Sequence, residues 1–195
     1  SDVSQGNLSA LGPAPPPPIQ PYIPIGAKAQ LRGLNVTVTG FVIRSCVVEG
    51  VRYSWREYLL YGGEVAGYRW LMEEDGAWTF VEPIEAGEVT DTGASAMFRG
   101  GHYAAKPPVQ AVVDYVIGEF YWKVDIGESA EATEFEGPGG KLSRERTATE
   151  VNYSFVTPLD PQELAAFGVR REPRFEKALA QIERCDLRFC GTGSW

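Results

Sequence analysis

Apolar and polar residues alternate with a period of two along the first part of the chain, as expected for half-buried β-strands. One predicted strand separates its residues into two faces, with Val36, Val38 and Val42 opposite Thr37, Thr39 and Phe41. Residues 51–60 alternate in the same way, and short aromatic strands follow at 68–72 and 77–81 around a Glu-Asp-Gly turn. The pattern predicts an antiparallel meander of four or five strands over about residues 26–84.

A second block with the same period follows residues 85–101, which lack a sustained pattern and are interpreted as a connection. Residues 109–117 are largely apolar, as in a buried central strand. Residues 119–126 alternate and are predicted to form another strand, as do residues 146–157. The predicted fold is mainly β and antiparallel, with two packed barrel- or sandwich-like halves at about 26–84 and 102–158. One barrel, one sandwich and two small barrels all fit this pattern.

The two ends of the chain depart from the alternating pattern. Seven of the 14 prolines fall within the first 24 residues, and four are consecutive at 15–18. Because such a run favours polyproline II and cannot enter a sheet interior, residues 1–25 are predicted to be a linker. A ligand for a proline-recognising domain is the alternative interpretation. At the other end, residues 159–195 are predicted to be helical, since Asp160, Pro161 and Glu163 form a helix start and Gly168 a stop, and Pro173 begins a second helix.

The composition indicates which partners and which cellular compartment the protein is expected to have. The net charge of −8 disfavours nucleic acid and anionic membranes as partners. No uninterrupted run of apolar residues is long enough to span a membrane, and the first residues lack the pattern of a signal peptide. Three cysteines do not form a disulfide framework and fit a reducing compartment. We therefore expect a cytoplasmic protein without direct membrane insertion, and the linker-like beginning suggests a fragment of a longer protein.

The reactive side chains form no recognisable catalytic or metal-binding motif. A zinc site would need Cys46, His102, Cys185 and Cys190 to be gathered by the fold, and structural or surface cysteines are the simpler interpretation. His102 has no nucleophile beside it, so a surface histidine is expected. No phosphate loop or nucleophile elbow occurs. We predict no catalytic residue, no metal site and no cofactor.

The carboxylates offer the candidate site. Glu57 shares a predicted strand face with Tyr53, Trp55 and Leu59, and an acid on such a face needs a partner or a shifted pKa. Two carboxylates converging in an aromatic pocket could bind a cation or perform acid–base chemistry. The alternative is that Glu57 pairs with an arginine or caps backbone amides, while the other carboxylates are solvated. The candidate ligand-binding residues are Glu57, Glu119, Glu145, Trp55 and Trp122; most other aromatic residues are predicted to be core.

Several stretches together resemble the bacterial domain-of-unknown-function family DUF4178. In chain order they are YSWREYLL at 53–60, YRWL at 68–71, GAW at 76–78, GEFYWKVDIGE at 118–128, LSRE at 142–145 and EVNYS at 150–154. The sequence departs from the family pattern at 134–138, where EFEGP replaces an Asp-Tyr followed by paired prolines. The resemblance, over about residues 24–158, implies an accessory protein whose genes neighbour polyamine-synthase-like and envelope-stress genes. Because members often carry this module twice, it also implies that the chain is the second copy in a longer protein. It implies no catalytic residue.

These observations lead to two hypotheses of different classes. The first is a non-catalytic interaction or accessory module with a protein partner, held near the inner face of the membrane by its parent protein or partners. The second is a binder of a cationic small molecule, or an enzyme, that uses paired carboxylates in an aromatic pocket. Carboxylates converging on an open cavity would favour the second hypothesis, and carboxylates capped by arginine in a packed interior would favour the first.

Overall fold

The computed structural model describes residues 20–169, and strands dominate this part of the chain. The strands are β1 (Lys28–Leu31), β2 (Leu34–Val48), β3 (Val51–Tyr61), β4 (Tyr68–Glu74), β5 (Ala77–Ile84), β6 (Val89–Asp91), β7 (Ser95–Phe98), β8 (Gly101–Ala105), β9 (Val109–Gly118), β10 (Ser129–Gly137), β11 (Gly140–Arg146) and β12 (Val151–Pro158). Helical structure is limited to the short helices α1 (Gly63–Ala66) and α2 (Pro161–Leu164) and to 3₁₀ turns at Ala86–Glu88 and Ala165–Phe167.

Eight of the strands close into one antiparallel barrel. The ring runs β2-β3-β4-β5-β12-β11-β10-β9 and returns to β2. Each predicted half contributes four consecutive strands, and the two halves join where β5 pairs with β12 and where β2 pairs with β9. The mainly antiparallel β class is confirmed. Among the arrangements that the sequence pattern allows, the described residues form a single closed barrel.

The remaining strands extend the sheet at two places on the ring. Strand β1 pairs with the first residues of β2, before β9 takes over that side of the strand. Strands β8, β7 and β6 continue outward from the end of β10, beyond the part that pairs with β9. We call these three strands the arm. They fall largely within residues 85–105, so the interpretation of 85–101 as an unpatterned connection is wrong. Strands this short contain too few alternations to produce a period.

A β-bulge in β2 exchanges the faces of that strand. The pairing with β3 steps from Val38–Leu60 to Gly40–Leu59, which leaves Thr39 as the extra residue. Phe41 and Ile43 therefore join Val36 and Val38 in one apolar cluster. The expectation that Val42 shares a face with those valines is wrong, because a one-residue insertion moves every later side chain to the opposite face.

The apolar face of β2–β5 points out of the barrel and is covered by segments from both ends of the described chain. Tyr58, Leu71 and Phe80 are fully or almost fully buried there. Their cover consists of Ile23, Leu31, Leu159, Leu164 and Phe167. The covering helix α2 has the predicted capping box, in which Asp160 accepts from the Gln162 N–H and Glu163 accepts from the Asp160 N–H, and Gly168 in the left-handed region ends the turn.

The arm packs on the outer face of the second half and is held there by a buried arginine. Arg144 on β11 donates to Asp91 of β6 at 2.6 Å and to Thr133 of β10 at 3.0 Å. The Tyr153 hydroxyl donates to the same carboxylate at 2.8 Å. An apolar cluster of Ala96, Phe98, Tyr103, Phe135 and Leu142 lies beside this network. We call these residues the outer arginine cluster: Arg144, Asp91, Tyr153 and Thr133.

The predicted domain limits fall partly outside the described residues. Most of the linker predicted at 1–25 lies there, as do the second helix expected from Pro173 onward, Cys185 and Cys190. The limits at 26–84, 102–158 and 159–195 stay predictions, although strands from both β halves lie in one ring.

Candidate functional site

Arg44, Glu57 and Glu145 meet inside the barrel. Arg44 lies on β2, Glu57 on β3 and Glu145 on β11. Since β9 and β10 separate β2 from β11 in the ring, a bond between their side chains must cross the barrel interior. The strand face that carries Glu57 therefore faces inward, and the apolar face with Tyr58 faces outward. Together with Trp55, these residues form what we call the inner arginine cluster.

Every charged group in the inner arginine cluster has a partner. The Trp55 Nε1–H donates to Glu57 Oε1 at 2.6 Å. Arg44 Nη1 lies 3.5 Å from the same oxygen and 2.5 Å from Glu145 Oε1. The Arg44 guanidinium carbon is also 5.9 Å from the centroid of the Trp55 ring. Arg44 thus bridges two carboxylates that would otherwise repel each other.

Burial and charge set the protonation of this cluster. Burial raises the pKa of Glu57 above its ordinary value; Arg44 and the Trp55 indole oppose that shift, and Glu145 adds to it. Burial alone would lower the pKa of Arg44, but the carboxylates of Glu57 and Glu145 outweigh it and raise that pKa. The arginine is therefore charged at all ordinary pH values, and it holds two carboxylates whose combined charge exceeds its own.

The arrangement fits a structural ion cluster better than an acid–base pair. The bridging Arg44 lies between the two carboxylates that a substrate would have to reach. The sequence alternative in which Glu57 pairs with an arginine is the one that the described geometry supports. The sequence did not identify Arg44 as that arginine. Its position in an otherwise apolar part of β2, opposite Trp55 in the β2–β3 register, was the available signal.

Glu119 and Trp122 lie apart from the inner arginine cluster. Both belong to residues 119–128, and within the described chain neither side chain shares a hydrogen bond or ion pair with Arg44, Glu57 or Glu145. The Glu119 side chain is exposed, and its backbone N–H donates to the Thr39 carbonyl at 2.8 Å. The predicted strand at 119–126 is wrong: β9 ends at Gly118, whose φ of +102° turns the chain out of the sheet.

Phe120 packs against the inward-facing side of β2 at one end of the barrel. The approach is close enough that a Cβ on Gly40 would come within 2.5 Å of the Phe120 ring. Only glycine fits at position 40. The Phe120 ring also lies 6.2 Å from Trp70 and 5.7 Å from Trp122. Residues 119–128 are therefore anchored at this end of the barrel by the half-buried Phe120 ring.

A continuous set of aromatic rings surrounds this anchor. Tyr61 contacts Tyr68 at 5.0 Å between centroids, Tyr68 contacts Tyr121 at 4.3 Å, and Tyr121 contacts Trp122 at 4.2 Å. Trp122 lies 5.7 Å from Trp70 in an edge-to-face arrangement. We call these five residues the aromatic surface, because Tyr121 is 60% exposed and Trp122 is 39% exposed.

The family is decided by a match over most of the described chain. The model of the family described as Domain of unknown function (DUF4178) matches residues 24–161. The chain belongs to the DUF4178 family. This confirms the sequence resemblance, and the matched residues span the barrel, the arm and the start of α2. No curated protein and no solved structure gives a significant match.

Metal-binding groups and long apolar helices are absent from the described part of the DUF4178 domain. Among residues 20–169, no group of three or more His, Cys, Asp or Glu side chains is placed to hold a metal ion. His102 is exposed on β8, and Cys46 is a half-buried thiol whose pKa is raised by burial and by the carboxylates of Glu74 and Glu134. No helix in residues 20–169 is long and apolar enough to cross a membrane.

Proposed function

We propose that this domain is a non-catalytic protein-interaction module that contacts its partner through the aromatic surface. The observation that carries the proposal is the exposure of Tyr121 and Trp122 on a rigid base of packed rings. Tyrosine and tryptophan dominate the energetics of protein interfaces, because they bury a large area and lose little conformational freedom. A surface that already holds these rings in place binds with less ordering cost.

The chemistry of the barrel interior supports the non-catalytic part of the proposal. Glu57 and Glu145 are both bonded to Arg44, and Glu57 is also bonded to Trp55. Cleaving a bond in a substrate would require one of these carboxylates to leave its partners. An accessory role in an envelope-stress or polyamine-linked system, and a cytoplasmic position near the inner face of the membrane, belong to the same proposal.

Site-specific photo-cross-linking in the host cell tests this function. A benzophenone amino acid replaces Tyr121 in one variant and Tyr53 in a matched control. Both tyrosines are exposed, by 60% and 45%, and Tyr53 lies near the tip of the β2–β3 hairpin, away from residues 119–128. We expect position 121 to give one defined protein adduct that position 53 does not give. Trp122→Ala should reduce the yield of that adduct at least tenfold, since loss of a central interface aromatic typically costs about 2 kcal/mol or more.

Comparing the adducts formed at positions 121 and 53 shows whether the partner contacts the aromatic surface. An adduct at position 53 without one at position 121 would move the interface to the hairpin tip, where Val47, Val48 and Val51 are also exposed. An adduct at position 121 whose yield is unaffected by Trp122→Ala would show that proximity, and not the aromatic surface, accounts for the cross-link. Either result contradicts the proposal.

A second candidate, binding of a polyamine or other organic cation, is favoured by the neighbouring carboxylates of the exposed Glu74 and the partly exposed Glu134. The pKa of Glu74 is raised by burial and by the neighbouring carboxylate of Glu134, and Lys141 only partly compensates. A cation placed between Glu74 and Glu134 would relieve this repulsion. Titration with spermidine, monitored by thermal unfolding, tests it. Saturating spermidine should raise Tm by several degrees in the native protein and not in Glu74→Gln, and an unchanged Tm in the native protein removes this candidate.

A further inference from the structure

Arginine side chains in this protein lie repeatedly over aromatic rings. Within the described residues, the guanidinium carbon is 4.6 to 5.9 Å from the ring centroid in the pairs Arg32–Phe80, Arg44–Trp55, Arg56–Tyr22, Arg99–Phe98 and Arg144–Phe135. None of these rings belongs to the aromatic surface. In the described part of the chain, the rings of that surface therefore have no arginine over them, although two of them are exposed.

The exposed rings are an attractive site for a guanidinium group. The face of a tyrosine or tryptophan ring carries a negative electrostatic potential, so it attracts a cation, and arginine makes such contacts more often than lysine. The planar guanidinium also stacks on the ring and is more weakly hydrated than an ammonium group. Because Tyr121 is packed on Tyr68 and Trp122 on Trp70, an arriving side chain finds both rings already positioned.

Two carboxylates flank the exposed rings. Glu119 lies two residues before Tyr121, and Glu150 lies directly before β12. Both glutamates are exposed, and neither side chain has a hydrogen bond or an ion pair within the described chain. Lys123 does not neutralise them, because it pairs with Asp125 at 2.7 Å. The surroundings of the aromatic surface are therefore negatively charged.

The charge of Glu150 acts on the aromatic surface itself. Burial and the neighbouring Tyr68 raise the pKa of Tyr121 above its ordinary value, and the Glu150 carboxylate raises it further. A carboxylate that disfavours the loss of a proton from a nearby hydroxyl favours a positive charge at the same place. The rings and the carboxylates therefore attract the same kind of group.

We propose that the aromatic surface binds an arginine-containing segment of the protein partner. The guanidinium groups of that segment lie over the rings of Tyr121 and Trp122. They also pair with the carboxylates of Glu119 and Glu150. This inference rests on the proposed function, because it names the chemistry of the partner that binds at the same surface.

Other occupants fit the charge of this surface less well. An acidic peptide, a nucleic acid or an anionic lipid would bring its negative charge against Glu119 and Glu150. A second copy of the chain would bring the same carboxylates and a net charge of −8. A neutral segment would cover the carboxylates without pairing them, which costs free energy. A segment with arginine both pairs these groups and contacts the rings.

Fluorine NMR of the full chain labelled with 5-fluorotryptophan tests this binding. The probe is an acetylated and amidated peptide in which arginine alternates with glycine, and matched peptides contain lysine or glutamine in place of arginine. Trp→Phe variants assign the signals of the five tryptophans. We expect the arginine peptide to shift the signals of Trp122 and Trp70 and to leave those of Trp55 and Trp78 unchanged. The lysine peptide should bind more weakly, and the glutamine peptide should cause no shift.

Three variants connect the shifts to the proposed contacts. Trp122→Ala, followed through the Trp70 signal, should weaken binding of the arginine peptide about fivefold or more, as expected for a lost cation–π contact. Glu150→Gln should weaken it about two- to fivefold, the range for an exposed ion pair. Glu49→Gln is the matched control, because it removes an exposed carboxylate from the turn between β2 and β3 and should leave the affinity unchanged.

Several results would overturn the inference. Equal affinities of Glu150→Gln and Glu49→Gln for the arginine peptide would mean that the carboxylate beside the rings does not contribute. Equal affinities of the native protein for the arginine and lysine peptides would mean that the rings do not select a guanidinium. A Trp122 signal that changes with protein concentration in the absence of peptide would assign the surface to a second copy. A shift of that signal on adding phosphatidylcholine vesicles would assign it to lipid.

The outcome is separable from that of the proposed function. If the partner presents arginine, the yield of the adduct at position 121 should fall in Glu150→Gln and stay unchanged in Glu49→Gln. A defined adduct without any response of Trp122 to the arginine peptide would overturn the inference and leave the interaction surface standing. A response to the peptide without any partner adduct would contradict the proposed function and leave the preference for arginine standing.

Discussion

Two arginines are almost completely buried, Arg44 in the interior of the barrel and Arg144 against its outer face. They are 8% and 6% exposed, and each bonds to a carboxylate on a strand that is not its neighbour in the sheet. Both therefore connect distant parts of the chain. They differ in what surrounds the carboxylate, and that difference sets the protonation of each cluster.

The outer carboxylate is the better stabilised of the two. Burial alone would raise the pKa of Asp91, but hydrogen bonds from the Gly93 N–H, the Tyr153 hydroxyl and Arg144 lower it. Glu57 has one strong neutral donor, shares its arginine with Glu145, and has a raised pKa. The arm is therefore fastened by a cluster with several donors to one carboxylate, whereas inside the barrel Glu57 and Glu145 share one arginine.

Removing the inner arginine should have the largest effect. Arg44→Met leaves Glu57 and Glu145 facing each other in the interior, and loss of one member of a buried ion cluster costs about 3–5 kcal/mol. Urea unfolding, followed by tryptophan fluorescence, measures this change. A loss below about 1 kcal/mol would mean that water already solvates these carboxylates, as it does at exposed pairs.

Removing the outer arginine should cost less. Arg144→Met leaves Asp91 with two of its donors, so we expect a loss of about 1–3 kcal/mol, the range for an incompletely satisfied buried group. Hydrogen exchange would locate the change, with faster exchange in β6 and β7 and little change in β2–β5. A larger loss for Arg144→Met than for Arg44→Met would reverse the comparison.

The two clusters should respond to pH in opposite directions. Between the ordinary pKa of glutamate and the raised pKa of Glu57, the folded protein holds a proton that the unfolded chain has released, so the free energy of unfolding falls as pH rises. For Asp91 the pKa is lowered, so the free energy of unfolding falls as pH drops below the ordinary pKa of aspartate.

Two variants isolate these contributions. Glu57→Gln should remove the decrease that occurs as pH rises from the ordinary pKa of glutamate to the raised pKa of Glu57, and Asp91→Asn should remove the acid-side decrease. Urea unfolding at closely spaced pH values from 3 to 8 gives the slope of the free energy of unfolding against pH in both ranges. If the free energy of unfolding depends on pH in the same way in the native protein and in Glu57→Gln, the pKa of Glu57 is not raised in the folded state.

The smallest effect is expected at an exposed arginine. Arg52 lies 2.6 Å from Asp114, but its side chain is 61% exposed. Arg52→Met should change the free energy of unfolding by less than about 1 kcal/mol, because solvent screens the pair. It serves as the matched control for Arg44→Met, since both changes remove an arginine from β2 or β3 by the same substitution.

The sequence predicts the strands that are long and regular. Residues 109–117 and the meander up to residue 84 were identifiable because alternation over many positions reports a buried face directly. The helix start at Asp160 was identifiable because its capping box is a local pattern. These features depend on neighbours in the chain.

The remaining features depend on distant residues. The bulge at Thr39 changes which side chains face inward, and residues 119–126 alternate like a strand although Gly118 takes them out of the sheet. Glu57, Glu145 and Trp55 were identified as candidate residues, whereas Arg44 was not. Arg44 and Glu145 meet only because β2 and β11 lie across the barrel from each other. Ring closure is a property of the whole sheet, and no single stretch of sequence contains it.

We propose that the inner arginine cluster maintains the barrel while the aromatic surface makes the functional contact. Cross-linking at position 121 in two further backgrounds tests this most directly, after circular dichroism has shown that both are folded. The adduct yield should be unchanged in Glu57→Gln and at least tenfold lower in Trp122→Ala, as expected for a lost interface aromatic. Loss of the adduct in folded Glu57→Gln, with an unchanged yield in Trp122→Ala, would contradict the claim and place the function inside the barrel.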